Sequence, residues 1–246
     1  NETFACRVGR GTHAAMKHVF HCARLAKRNW RKYYVLKCDV TKFFPSINHE
    51  VLKKIIRRTI RDKKVLQLLD TIVDSYSTEG TEGIGIPIGT LPSQLMANVC
   101  LDPLDHRIKE IYKIKYYARY MDDFVIIHSD KNFLRVVWEG IADYLNEELK
   151  LKLNPKTTIY PGKHGIDFCG YRIWPTHIRP RKSTVKRAKK RLRKFSALYK
   201  DNPHILEHAK MSIMSFFGYI KHCSGYKTTL SVLRKAVFKK PKKIDI

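Results

Sequence analysis

The sequence predicts an α+β fold, an antiparallel sheet backed by helices, followed by a basic helical segment. Three observations predict it. Short aromatic and β-branched runs alternate with longer amphipathic stretches, without the regular strand–helix beat of a parallel sheet. Two of those runs, 116–119 and 124–127, flank Tyr120-Met121-Asp122-Asp123 closely enough to form a hairpin. From Lys182 onward, apolar residues recur at helical spacing against an almost unbroken face of Lys and Arg.

Taken in order, residues 12–32 read as a helix with Ala14, Ala15, Val19, Cys22, Ala23 and Ala26 on its small or apolar positions. The strand-like Tyr33-Tyr34-Val35-Leu36 follows. Asn48 is placed to cap a helix whose apolar set is Leu52, Ile55, Ile56 and Ile60, and 63–76 reads as a second one. Residues 79–89 hold too many glycines, and Pro87, for an element interior. Thr90-Leu91-Pro92-Ser93 then opens a helix carrying Leu95, Met96, Val99, Leu101 and Leu104. The aspartate hairpin comes next, then a helix over about 131–149 and strands at 157–160 and 166–173. Val185, Ala188, Leu192, Phe195 and Leu198 form the stripe of a helix with seven cations on its other face and no acid among them.

A chain of 246 residues that is 43% hydrophobic buries a real core and is neither disordered nor membrane-embedded in composition. No signal peptide or membrane-length apolar run is visible, and the six scattered cysteines show neither CxxC pairing nor disulfide density, so the expected location is cytoplasmic. The chain begins at Asn1 and is in mid-stride within a few residues, from which a missing N-terminal portion is expected. Net charge is +27, and residues 181–246 hold 19 Lys and Arg against 3 Asp and Glu. That concentration favours a nucleic-acid backbone as partner over an anionic membrane or an acidic protein.

On so basic a chain, the adjacent Asp122 and Asp123 in an apolar hairpin need a reason. Read alone they are equally an acidic turn and half of a metal site. Asp39, at the end of an apolar strand and followed by the aromatics Phe43 and Phe44, supplies a third carboxylate. A strand-end Asp with a hairpin-tip Asp pair is what two-metal phosphoryl transfer requires. Elsewhere the signals are weak. His18 and His21 or Cys22 share a helical face, but His13 lies too near the helix start to join them as a metal ligand, and His204 and His208 lack a third ligand. Gly83, Gly85 and Gly89 make no dinucleotide fingerprint, there is no P-loop, and Phe216, Phe217, Tyr219 and Tyr226 read as core before they read as base-stacking.

These residues together resemble a reverse transcriptase. Asp39 matches the first aspartate of that family's palm, and Tyr120-Met121-Asp122-Asp123 its YxDD box. The resemblance implies a right-hand polymerase with fingers largely missing. Residues 1–32 would be a residual fingers or palm-entry helix, 33–175 the palm with its metal site, and 181–246 a basic helical thumb. It implies Asp39, Asp122 and Asp123 as ligands of two Mg²⁺ and Lys156 as the lysine near the departing pyrophosphate. Phe44, beside Phe43, would be the steric gate, with Ile88, Gly89 and Gln94 against the incoming dNTP. Tyr120, Met121, Phe168, Gly170 and Tyr171, the last three in a primer-grip-like hairpin, would meet the template–primer, as would Lys186, Lys190 and Arg193. The partners implied are template RNA, a DNA primer or product and dNTPs, with no membrane.

The stretch from Ile88 to Gln94 reads I-G-x-x-x-S-Q where most of the family has Q-G-x-x-x-S-P. With residues 5–13, it resembles the reverse transcriptases of diversity-generating retroelements. That implies mutagenic copying opposite adenines and a small basic accessory protein as partner. The nearest enzyme alternative is a group II intron or retron-type reverse transcriptase. An RNA-dependent RNA polymerase is disfavoured by Tyr120 and Phe44. A catalytically silent nucleic-acid-binding protein is the alternative from another class, and it predicts loss of carboxylates that are all present here.

Overall fold

A computed structural model describes residues 2–199, 202, 204–235 and 237–238. Within the expected 181–246 segment, residues 200, 201, 203, 236 and 239–246 lie outside the described residues. The chain divides into two compact units, Asn1–Cys169 and Gly170–Ile246.

The first unit is built on a four-stranded antiparallel sheet in the order β2-β3-β1-β4. Its strands are β1 Tyr34–Cys38, β2 Tyr116–Tyr120, β3 Asp123–His128 and β4 Thr158–Pro161. β1 pairs with β3 along its whole length, from Tyr34↔His128 to Cys38↔Phe124. Val35-Leu36 in β1 and Phe124–Ile127 in β3 are unbroken apolar runs because both faces of the sheet are covered there. Leu36, Cys38, Phe124 and Ile126 enter the main core. That core also takes α3 (His49–Thr59), α5 (Leu91–His106) and α6 (Lys131–Glu147). The opposite face meets α1 (Thr12–Trp30), where His18 Nε2 hydrogen-bonds Tyr117 O at 3.0 Å and the Trp30 and Tyr116 rings lie 5.2 Å apart.

The caps follow the sequence. Asn48 Oδ1 accepts from Val51 N at 3.0 Å, and Asp62 Oδ1 from Val65 N at 2.9 Å at the start of α4 (Lys63–Asp74). A one-turn helix, α2 (Phe43–Ser46), follows β1. Residues 78–90 have no regular structure. Gly85 must be glycine there, since its φ is +103 and a Cβ would drive into Thr78 Oγ1 and lie 3.3 Å from Pro45 O.

Two expectations need correction. The strand over 166–173 is two strands, β5 Ile166–Phe168 and β6 Tyr171–Ile173, because Cys169 (φ 47) and Gly170 (φ 85) both take left-handed backbone. Leu95 on α5 and Leu198 on the basic helix are exposed, at 61% and 39%, while Met16, not expected in the core, is wholly buried on α1. The unit boundary at 169/170 also precedes the change of composition near 181. β6 and β7 (Ile178–Pro180) pair antiparallel and join the C-terminal helices, where Tyr171 Oη donates to Tyr219 O at 3.0 Å. Those helices are α7 Lys182–Leu198, α8 Ile205–Ile220 and α9 Tyr226–Leu233, packed through Leu192, Phe216, Ile220 and Val232.

Candidate active site

The sheet register gathers the aspartates. Because Cys38 pairs with Phe124, Asp39 leaves β1 alongside Asp123, the first residue of β3. Tyr120 pairs with Asp123, so Met121 and Asp122 form a two-residue turn, and Met121 takes φ 59 to make it. Asp39, Asp122 and Asp123 are each half-buried.

Burial pushes the Asp122 carboxyl up to about 6. Its own backbone opposes that shift, and the like charges of Asp39 and Asp123 reinforce it. The other two carboxylates are held by neighbours. The Lys37 ammonium ion-pairs with Asp123 and lies 5.3 Å from the centre of the Phe168 ring. Asn154 donates from Nδ2 to Asp39 Oδ2 at 3.0 Å and from its backbone N–H to Asp39 O at 2.7 Å. Asn154 Oδ1 in turn accepts the Lys156 N–H at 3.0 Å, which docks the turn bearing the exposed Lys156 next to Asp39.

Among the described residues, no three His, Cys, Asp or Glu side chains are drawn into a ready-made ion site. Asp123 is turned to Lys37 and Asp39 to Asn154. The donor set nevertheless fits a hard divalent cation. It offers carboxylate oxygens alone, and the raised Asp122 shows what burial, and after it the like charges of Asp39 and Asp123, cost a bare carboxylate on this rim.

The residues expected around the nucleotide separate by burial. Phe43 is 2% exposed and belongs to the core, so the expectation that it meets substrate is corrected; Phe44, half-buried beside it, is the accessible ring. The backbone of this segment holds the glycine loop, with Ile86 N donating to Phe44 O at 3.0 Å and Gly85 N to Ile47 O at 2.7 Å. Ile88 is 73% exposed, Gly89 takes φ +96, and Gln94 Oε1 accepts from Cys6 Sγ at 3.0 Å.

Sequence reasoning missed the residues that hold these parts in place. His49 is buried, with Nε2 2.7 Å from Gly85 O and Nδ1 3.2 Å from Asp74 Oδ1, and so ties the loop to α3 and α4. Arg119, 1% exposed, grips Asp105 through two nitrogens at 2.8 and 2.5 Å. It also donates to the carbonyl of Met121, in the aspartate turn, at 3.0 Å. A lone Arg inside an apolar strand was the available signal, since arginine is buried only when paired.

With this geometry in place, the family profile described as "Reverse transcriptase (RNA-dependent DNA polymerase)" matches residues 2–173. This chain belongs to the reverse transcriptase family. The reverse transcriptase match covers the first unit from residue 2 onward and runs through the end of β6. Among curated relatives, the chain is 23% identical over 218 residues to the Putative COX1/OXI3 intron 2 protein of Saccharomyces cerevisiae, covering 62% of this chain and 26% of that one. It is 28% identical over 180 residues to Protein YkfC of Escherichia coli, covering 58% and 47% respectively. The chain thus spans less than half the length of these two relatives. Telomerase from Candida tropicalis, solved in complex with a TWJ fragment of telomeric RNA, has a similar fold, with a TM-score of 0.57 at 14% identity over 95% of this chain and 46% of that one.

The reverse transcriptase template–primer residues expected near 168–171 are also corrected in part. Phe168 and Tyr171 are 0% and 1% exposed, so their rings are framework. Phe168 lies under Lys37, and Tyr171 stacks on Tyr219 with centroids 4.6 Å apart. Tyr120 and Met121 remain half-buried at the hairpin tip, Gly170 makes the turn, and Lys186, Lys190 and Arg193 are exposed on α7.

Proposed function

We propose that this chain is the catalytic core of an RNA-directed DNA polymerase. The primer 3′-hydroxyl attacks the α-phosphorus of a dNTP in line, forming the phosphodiester bond as pyrophosphate leaves. The observation that carries the reading is that the β1–β3 register and the β2–β3 turn bring Asp39, Asp122 and Asp123 to one rim of a family-matched sheet. Asp39 and Asp122 would hold two Mg²⁺, with Asp123 completing the set. When bound, such ions lower the pKa of the attacking hydroxyl and neutralise the leaving group. Lys156 protonates the departing pyrophosphate, and the Phe44 ring crowds a ribose 2′-hydroxyl. Residues 33–175 act as palm and 181–246 as thumb on template RNA and DNA primer. All six cysteines are free, which suits a reducing cytoplasm. No described helix is long and apolar enough to cross a membrane.

Primer extension on an RNA template with dNTPs and Mg²⁺, using the full-length protein, tests this reading. The wild type extends; binding of template–primer without Mg²⁺-dependent extension marks a silent scaffold and sinks it.

Within that activity, the exposed Ile88 supports a mutagenic retroelement enzyme working with a small basic accessory protein. A branched alkyl group cannot replace the hydrogen bonds of a glutamine amide beside the nascent pair, so discrimination falls. Ile88→Gln is expected to lower misincorporation opposite template adenines by about tenfold, the equivalent of ~1.4 kcal/mol. Sequencing of the cDNA reads it, and an unchanged error spectrum removes the mutagenic reading. An intron-type enzyme is the second reading, favoured by the intron protein of yeast among the relatives.

A further inference from the structure

The C-terminal unit holds a groove of about 290 Å³ between α7 and α8. Thr184, Arg187 and Arg191, each about one helical turn apart, form one wall. Ser212 and Ser215 stand on the other, and Ala188, Phe216 and Tyr219 complete the lining. No acid lines it. Arg191 already leans inward, with Nη1 3.5 Å from Ser212 Oγ. Among the described residues, neither Arg187 nor Arg191 has a carboxylate partner. Two guanidinium forks without a carboxylate partner, facing neutral hydroxyls, form a seat for a tetrahedral dianion or a phosphodiester, since planar forks match phosphate oxygens and hydroxyls supply the remaining donors.

The exposed Lys186 and Lys190 each sit one residue before Arg187 and Arg191, turned by roughly 100° on α7, Arg193 is turned further still, and none of the three lines this groove. Those cations attract a polyanion but give it no fixed position. The groove combines charge with geometry.

We propose that the α7–α8 groove seats one backbone phosphate of the bound nucleic-acid strand, Arg187 and Arg191 supplying charge and Ser212 and Ser215 neutral donors. This rests on the reading of the chain as a template–primer enzyme. It moves the principal contact of α7 from the Lys186, Lys190 and Arg193 strip to the neighbouring one.

The test is the affinity of the full chain for an RNA–DNA template–primer duplex, and for single-stranded RNA and DNA of equal length, measured across a KCl series. Arg187→Ala with Arg191→Ala is expected to weaken duplex binding at least tenfold and to reduce the slope of log K against log salt by about 1 to 2. Arg187→Lys with Arg191→Lys keeps the slope and loses severalfold in affinity, because the fork and not the charge is removed. Ser212→Ala with Ser215→Ala also weakens binding severalfold at constant slope, and both conservative pairs keep the test valid if the alanine pair unfolds. A loss confined to RNA or to DNA identifies which strand is seated. The groove assignment is overturned if the alanine pair binds as the wild type does, or if replacing Lys186, Lys190 and Arg193 costs more. A wild-type chain with no salt-dependent affinity for any of the three probes overturns the polymerase reading beneath it.

Discussion

Asp122→Asn abolishes primer extension and, in the absence of divalent metal, makes the protein more stable near neutral pH. Both effects have one origin. Burial and the neighbouring Asp39 and Asp123 push the Asp122 carboxyl from 3.8 up to about 6. The folded state therefore binds a proton more tightly than the unfolded state does. Between those two values the native chain holds more protons, so stability falls as pH rises through the window and is lowest above about 6. The asparagine carries no charge and escapes that cost. The gain near pH 7 to 8 is about 1–2 kcal/mol, after allowing for solvent screening of a partly exposed group. Chemical denaturation across pH 4–8 checks it: the wild-type curve slopes down through the window and the variant curve is flatter. Adding Mg²⁺ then raises the stability of the wild type more than that of the variant, by mass action on the folded state. Extension falls by about a thousandfold or more if losing one metal oxygen costs several kcal/mol at the transition state. A variant no more stable than wild type in the metal-free state contradicts the electrostatic account of this rim.

Arg119→Met gives the largest loss of stability outside the core. Arg119 donates to both oxygens of Asp105, to Asn98 Oδ1 at 3.3 Å and to Met121 O at 3.0 Å, while Tyr117 Oη donates to the same Asp105 at 2.5 Å. Methionine fills the space and leaves Asp105 charged in a site where its side chain is 13% exposed. Breaking such a pair costs about 3–5 kcal/mol, or a melting temperature lower by about 10 °C. Arg119→Met combined with Asp105→Asn recovers much of it, because no unpaired charge remains, and the double-mutant cycle measures the coupling. Activity does not recover with stability. The carbonyl of Met121 has still lost its donor, and the turn that aims Asp122 is less firmly held. A double variant restored in both stability and kcat shows that Arg119 serves the fold alone.

The order of elements was legible in the sequence because each carries its own period and caps. Asn48 and Thr90 begin their helices as expected, and Asn48 does so by the side-chain hydrogen bond that its residue type predicts. The basic helix shows its stripe because no acid interrupts it. Elements of three or four residues were less legible. β7 and α2 are too short to show a period, and the break in 166–173 depends on Cys169, a residue with no turn preference, taking left-handed backbone. Burial of individual aromatics was not legible either. Phe43 and Phe44 are identical letters, and only packing sends one into the core and leaves the other accessible.

The sequence by itself determined the residue types: three carboxylates in an apolar setting, two adjacent aromatics after the first of them, an isoleucine at position 88 and a strongly basic C-terminal segment. These are properties of residue type and local spacing, which do not depend on packing. Tertiary structure alone decided which groups restrain these residues. Lys37 meets Asp123, Asn154 holds Asp39, His49 ties down the glycine loop, and Arg119 reaches from Asp105 to the turn at Met121. Each joins residues from 2 to 115 positions apart. Such partnerships leave no local pattern, because hydrogen-bond geometry is satisfied in space and only the completed sheet register brings the partners together.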